Sequence, residues 1–93
     1  FLYFSKKEQE LLTMIFQECA SYCSLESHPI STDEIRQNLK ISPERLRNLI
    51  SRITKKGGIR VLQHKSGKSA FRIFEFSKEL YESISKIKIK SPQ

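Results

Sequence analysis

The chain has 93 residues, 38% of them hydrophobic, with six Phe, three Tyr and no Trp. That is enough for one small core and too little to enclose a sizeable active-site cavity, so a binding surface is expected before a catalytic pocket. The formal charge of +7 directs attention to where the cations lie.

Several classes fall away early. Apolar runs such as Met14-Ile15-Phe16 are far short of the roughly 20 residues of a membrane span, and no basic segment followed by an apolar one opens the chain. No membrane association is expected. The chain opens at Phe1 and reads as an excised domain or a piece of something longer. His28 and His64 sit in polar stretches, paired carboxylates do not recur at useful spacing, and Gly57-Gly58 lacks a phosphate-loop pattern. No enzyme activity, cofactor, metal or small-molecule substrate is therefore expected.

In chain order, Ser5-Lys6-Lys7-Glu8 is a capping box, in which the serine hydroxyl and the glutamate carboxylate each satisfy a backbone N–H at a helix start. Leu11, Leu12, Ile15, Phe16, Cys19 and Cys23 follow at helical spacing, predicting a first helix that ends near Ser24. The two cysteines are expected to be reduced core residues, since a disulfide between adjacent turns of one helix has poor geometry. A reducing, cytoplasmic setting suits them. Leu25 to Pro29 reads as loop.

Ile30-Ser31-Thr32-Asp33-Glu34-Ile35 combines a capping box on Ser31 and Glu34 with a hydrophobic staple between Ile30 and Ile35. A short second helix is predicted to run to Leu39 or Lys40. The device repeats at once. Ser42 is an N-cap, Pro43 suits the first helical position, and Ile41 can staple onto Leu46. The third helix is predicted over 43–56, closed by Lys55-Lys56 at its negative end and by Gly57 in a left-handed cap.

Beyond Gly58, Ile59–Gln63 and Ala70–Phe76 are β-favouring runs around a polar, basic tip, which predicts a hairpin over 59–76. Ser77 caps a last helix with Leu80, Tyr81, Ile84 and Ile87 as its apolar stripe, and 89–93 reads as a frayed tail or linker.

Charge is concentrated in the middle of this order. Residues 1–34 hold two Lys against six acids, 2 − 6 = −4, whereas residues 35–76 hold eleven Lys or Arg against Glu44 and Glu75, 11 − 2 = +9. Such a localised basic segment suits a polyanion. On helix three, Leu46, Leu49, Ile50 and Ile53 share an arc of about 100°. The opposite side carries Glu44, Asn48, Ser51 and Lys55, flanked by Arg47 and Arg52, with Arg45 nearer the core edge. Arg can bond guanine bidentately and Asn adenine, while Ser and Lys serve bases or phosphates. The helix start near Ser42 to Arg45 suits a phosphate. Thr32 can reach the DNA backbone, Arg36 and Lys40 extend the field, and Lys65 and Lys68 arm the hairpin tip, with Arg60 and Arg72 on its strands. Glu44 dissents, unless it accepts from a cytosine amine. With about six phosphate contacts the salt slope of DNA binding is expected near −5.

Two helices joined by a short turn, the second strongly basic, make a helix-turn-helix. From Ser5 to about Ile87 the order helix, helix, turn, recognition helix, hairpin, closing helix resembles the winged helix-turn-helix domains of MarR-type regulators and of plasmid replication initiators. The segments Ile30–Leu39, Ile41-Ser42, Leu46–Ile53 and Lys56-Gly57-Gly58 carry the resemblance, and the aromatic strand 71–76 leading to Leu80-Tyr81 is similar to winged domains of bacterial mobile elements. The resemblance implies an α+β, mostly helical fold with three helices, a two-stranded wing and a C-terminal helix over 1–88. It implies a bacterial, nucleoid-associated protein that binds double-stranded DNA and acts in transcription or plasmid replication. Base contacts would fall on Arg47, Asn48 and Ser51, backbone contacts on Thr32, Ser42, Arg45, Arg52 and Lys55, and wing contacts on Lys65 and Lys68. The long extra helices that dimerise full-length MarR-type proteins are absent from this chain, so a homodimer would use helix one, the closing helix or the rest of a parent protein. The competing expectation is a winged-helix module that binds protein through exposed aromatics of the wing and closing helix.

Overall fold

The computed structural model describes residues 3–90. It is α+β and mostly helical, in the order α1 (Lys6–Ser21), β1 (Ile30–Ser31), α2 (Thr32–Leu39), α3 (Pro43–Lys56), β2 (Ile59–Lys65), β3 (Phe71–Phe76) and α4 (Lys78–Lys90).

Each helix begins where a hydroxyl can replace the missing backbone acceptor. Ser5 Oγ accepts from Glu8 N at 3.3 Å while Glu8 Oε1 accepts from Ser5 N at 3.0 Å, completing the capping box. Ser31 and Ser42 accept from Glu34 N and Arg45 N in the same way, and Ser77 from Leu80 N. Ser31 caps by its hydroxyl alone, without the reciprocal glutamate bond.

α1 stops at Ser21, three residues short of the expected end. Cys23 turns into the left-handed region at φ 51° and is exposed, so it is not a core cysteine. That turn carries the chain back over α1, where the buried Cys19 thiol donates to Leu25 O at 3.6 Å. Burial, with the Glu18 carboxylate in support, pushes the Cys19 thiol up to about 11.

The sheet has three antiparallel strands in the order β1-β3-β2, one more than the expected hairpin. The stretch 25–31, read as loop and helix cap, instead lines the open edge of β3. Phe76 N donates to Leu25 O at 2.9 Å, Ser27 N to Phe74 O at 2.8 Å, and Phe74 N to Ser27 Oγ at 3.0 Å. β3 is buried on alternate residues, Arg72, Phe74 and Phe76. Its backbone needs partners along both edges, and a two-residue strand too short to show a period supplies them. β2 runs to Lys65, two residues beyond expectation, with a bulge between Val61 and Gln63 that leaves Leu62 facing out.

Phe74, Phe76, Leu11, Leu12, Ile15, Ile35, Leu46, Ile53 and Ile84 form the fully buried centre. The glycines after α3 differ in their task. Gly57 closes the helix at φ 87°, ψ 171°, a conformation other than the expected left-handed cap. Gly58, at φ 89°, lies where an added Cβ would stand 2.8 Å from Leu80 Cδ2, so α4 packs directly on its backbone. α4 then seats Leu80 and Ile84, and Tyr81 packs against the rings of Phe16 and Phe76 with centroids at 4.9 and 6.2 Å. Ile87, expected on the apolar stripe, is 41% exposed. α4 continues through Lys90, into the stretch expected as tail, and residues 91–93 lie outside the described residues.

Candidate nucleic-acid interface

α3 is held from one side by Leu46, Leu49, Ile50 and Ile53, all buried, which leaves Glu44, Arg45, Arg47, Asn48, Ser51, Arg52 and Lys55 exposed. Helical spacing sorts these into two rows. Arg47, Ser51 and Lys55 form one. Arg45, Asn48 and Arg52 form the other, and with Ser42 and Glu44 they line a shallow depression of about 330 Å³. On the Arg47 side a second crevice, of about 290 Å³, lies between the start of α3 and the hairpin, with Thr32, His64, Ser66, Gly67 and Arg72 on its walls. Arg45 is exposed, so its place near the core edge of the helix does not bury it.

The cations fall into two groups. One group is committed to the fold. Lys56 Nζ donates to Glu8 Oε1 at 2.6 Å, Arg60 pairs with Glu75 at 2.6 Å, and Lys7 pairs with Glu10 at 3.3 Å while also donating to Leu39 O at 2.9 Å. Arg36 belongs here too. It pairs with Asp33 at 3.5 Å and donates to Ile41 O at 3.4 Å, bracing the turn between α2 and α3. The other group makes no side-chain hydrogen bond or ion pair among the described residues. It comprises Arg45, Arg47, Arg52 and Lys55 on α3 and Lys65 and Lys68 at the hairpin end, and, apart from these, Lys6 on α1, Lys40 at the end of α2 and Lys78 and Lys86 on α4. Glu44 likewise has no cation partner among them.

Of the other expected positions, Ser42 is the α3 cap, and Thr32 is half-buried with its hydroxyl accepting from Arg72 Nη1 at 3.2 Å. The hairpin tip is tied to α2 by Thr32 N donating to Ala70 O at 3.0 Å, and it turns through Gly67 at φ 84° and Ser69 at φ 58°. Arg47 thus shares one crevice with hairpin residues, while Lys65 and Lys68 flank the tip outside it.

Arg72 and His64 lie nearer the site than their places in the sequence suggest. Arg72 is expected only as a strand cation, yet it is 6% exposed. The signal was available, because Arg72 stands at the same parity as the inward Phe74 and Phe76. Burial, together with the nearby Arg47 charge, lowers its pKa. Register places His64 directly opposite Arg72 on β2, which makes the two cross-strand neighbours. Among the described residues no group of three His, Cys, Asp or Glu gathers to hold a metal, and no helix is long and apolar enough to cross a membrane. No protein-family model, curated protein or solved structure matches the chain.

Proposed function

We propose that this is a winged helix-turn-helix domain that binds double-stranded DNA sequence-specifically, with α3 in the major groove and the β2–β3 hairpin as a wing against the adjacent backbone or minor groove. The observation that carries it is the clustering of exposed, unpaired cations. Lys6, Lys40, Lys78 and Lys86 are also exposed and form no ion pair among the described residues, but they are spread over α1, the end of α2 and α4, whereas Arg45, Arg47, Arg52, Lys55, Lys65 and Lys68 gather on two adjoining elements. Exposed charges on one helix are ordinarily just solvated. Their continuation onto a neighbouring hairpin, across a crevice with no carboxylate on its walls, supports a polyanionic partner.

Arg47 and Asn48 are assigned to bases, with Ser51 beside them. Ser42, Arg45, Arg52 and Lys55 are assigned to phosphates. Arg36 is removed from the contact set by its two bonds within the fold. The domain would serve as the DNA-binding part of a transcriptional regulator or of a plasmid or mobile-element protein. A protein-interaction module would need the hairpin and closing-helix aromatics exposed, but Phe74 and Phe76 are buried and Phe71 and Tyr81 half-buried.

The test is selection from a random double-stranded pool at about 150 mM salt, followed by affinities of the selected site across a salt series. An enriched motif that disappears in Arg47→Ala or Asn48→Ala is expected. Absence of any binding sinks the proposal.

A further inference from the structure

β3 places three residues inward, and two of them, Phe74 and Phe76, are ordinary core. The third is Arg72. A guanidinium at 6% exposure is expected to meet a carboxylate, because a buried charge without one is costly. Among the described residues Arg72 has none. Its one side-chain hydrogen bond runs from Nη1 to Thr32 Oγ1, and the charge that bears on it is that of a second cation, Arg47. Among the described residues no buried side-chain nitrogen is left without a partner, so the Arg72 N–H groups that make no bond reach solvent, and Arg72 stands on the wall of the crevice. That crevice also presents Arg47, His64, the Thr32 hydroxyl and the tip residues Ser66 and Gly67. Its volume of about 290 Å³ is roughly ten times the 30 Å³ that one water occupies in the liquid, ample for a tetrahedral oxyanion.

The geometry points to an anion site in which Arg72 and Thr32 together hold one phosphate group, supplied by the DNA backbone, with the Arg47 charge on the crevice wall adding to the field there while its side chain serves the bases. The inference rests on the DNA-binding reading and adds to it a buried clamp between α3 and the hairpin. Arg72 offers a planar fork of donors that suits two phosphate oxygens at once. Thr32 Oγ1, already accepting from Arg72, has its own proton free to donate to the same group. Since Thr32 starts α2, Arg72 lies on β3 and the crevice opens beside Arg47 on α3, a phosphate seated here would set the hairpin and α2 in one register with α3 on the duplex.

Two measurements test it. In the first, the wild-type domain is titrated with inorganic phosphate and, separately, with dimethyl phosphate, following the Gly67 amide and the Arg72 Nε–H by NMR. Saturable shifts at these groups are expected. In the second, DNA affinity and salt slope are measured for wild type, Arg72→Met and Arg47→Ala. Arg72→Met is expected to lose about five- to tenfold in affinity and to flatten the slope by about one. It should melt no lower than wild type, because an uncompensated buried charge has been removed. If Arg72→Met fails to fold, Arg72→Lys keeps the charge without the fork, and weakened DNA binding is again expected.

If Arg72→Met or Arg72→Lys binds DNA like wild type while Arg47→Ala does not, the site falls and the DNA reading stands. Phosphate shifts scattered over surface lysines and not saturating at Gly67 overturn the site as well. Saturable phosphate binding by a domain with no DNA affinity supports the site with free phosphate as its ligand, and overturns the DNA reading alone.

Discussion

Replacing Glu8 by Gln removes a buried carboxylate from its ion pair with Lys56. Glu8 is 2% exposed, and Oε1 accepts from Lys56 Nζ at 2.6 Å and from Ser5 N at 3.0 Å. Gln keeps an oxygen for the Ser5 bond, so the capping box survives and only the charge is lost. A hydrogen bond to a charged group contributes about 1.5–3 kcal/mol. Lys56 is 29% exposed, and its ammonium also donates to Tyr3 O at 3.4 Å and sits over the Tyr3 and Phe4 rings, so it is not stranded by the change. The low end applies, about 1–2 kcal/mol, or roughly 5–10 °C in Tm for a domain of this size. The loss is also pH-dependent. Burial by itself raises the Glu8 pKa, but the Lys56 and Ser5 hydrogen bonds and the Lys56 and Arg52 charges outweigh it and hold the carboxyl below its ordinary 4.5. A carboxyl with a lowered folded pKa stabilises fully above the unfolded value and loses that contribution as pH falls through the folded one. Thermal melts of wild type and Glu8→Gln at about pH 7 and about pH 2 are therefore expected to differ clearly at the first and to converge at the second. Equal Tm at neutral pH, or an undiminished deficit in acid, refutes the reasoning.

The other expectations concern caps, glycines and DNA contacts. Ser42→Ala removes the acceptor for Arg45 N and is expected to cost about 1 kcal/mol in a urea melt, with α3 loosened at its start. Gly57→Ala meets open space but strains the backbone at φ 87°, at about 1–3 kcal/mol. Gly58→Ala adds to a similar strain a clash with Leu80, so it is expected to be the more destabilising of the two; the reverse order in denaturant melts counts against the packing of α4. For DNA, Lys65→Ala and Lys68→Ala together are expected to reduce the salt slope by up to about two while leaving the selected motif unchanged, whereas Asn48→Ala alters the motif at one position.

Much of the architecture was legible along the chain. The serine caps at Ser5, Ser31, Ser42 and Ser77 are settled within one turn of helix, and so are the faces of α1 and α3, because helix starts and periodicity depend on neighbours three or four residues away. The exposed row on α3 was legible for the same reason. The end of α1 was not, since a left-handed turn at Cys23 leaves no composition signal of the kind a glycine would. Nor was β1, whose two residues pair only because β3 leaves an edge open far along the chain, as in Ile30 opposite Arg72, 72 − 30 = 42 residues later.

The order of residues sets how much positive charge the middle of the chain carries, and the packing of helices and strands sets how much of it stays unpaired. Lys56 finds Glu8 across 48 residues, Arg72 finds Thr32 across 40, and Arg60 finds Glu75 across the hairpin, whereas Arg45, Arg47 and Arg52 form no ion pair among the described residues. An ion pair depends on distance in space, and no local pattern reports that distance until the strands and helices have been brought together.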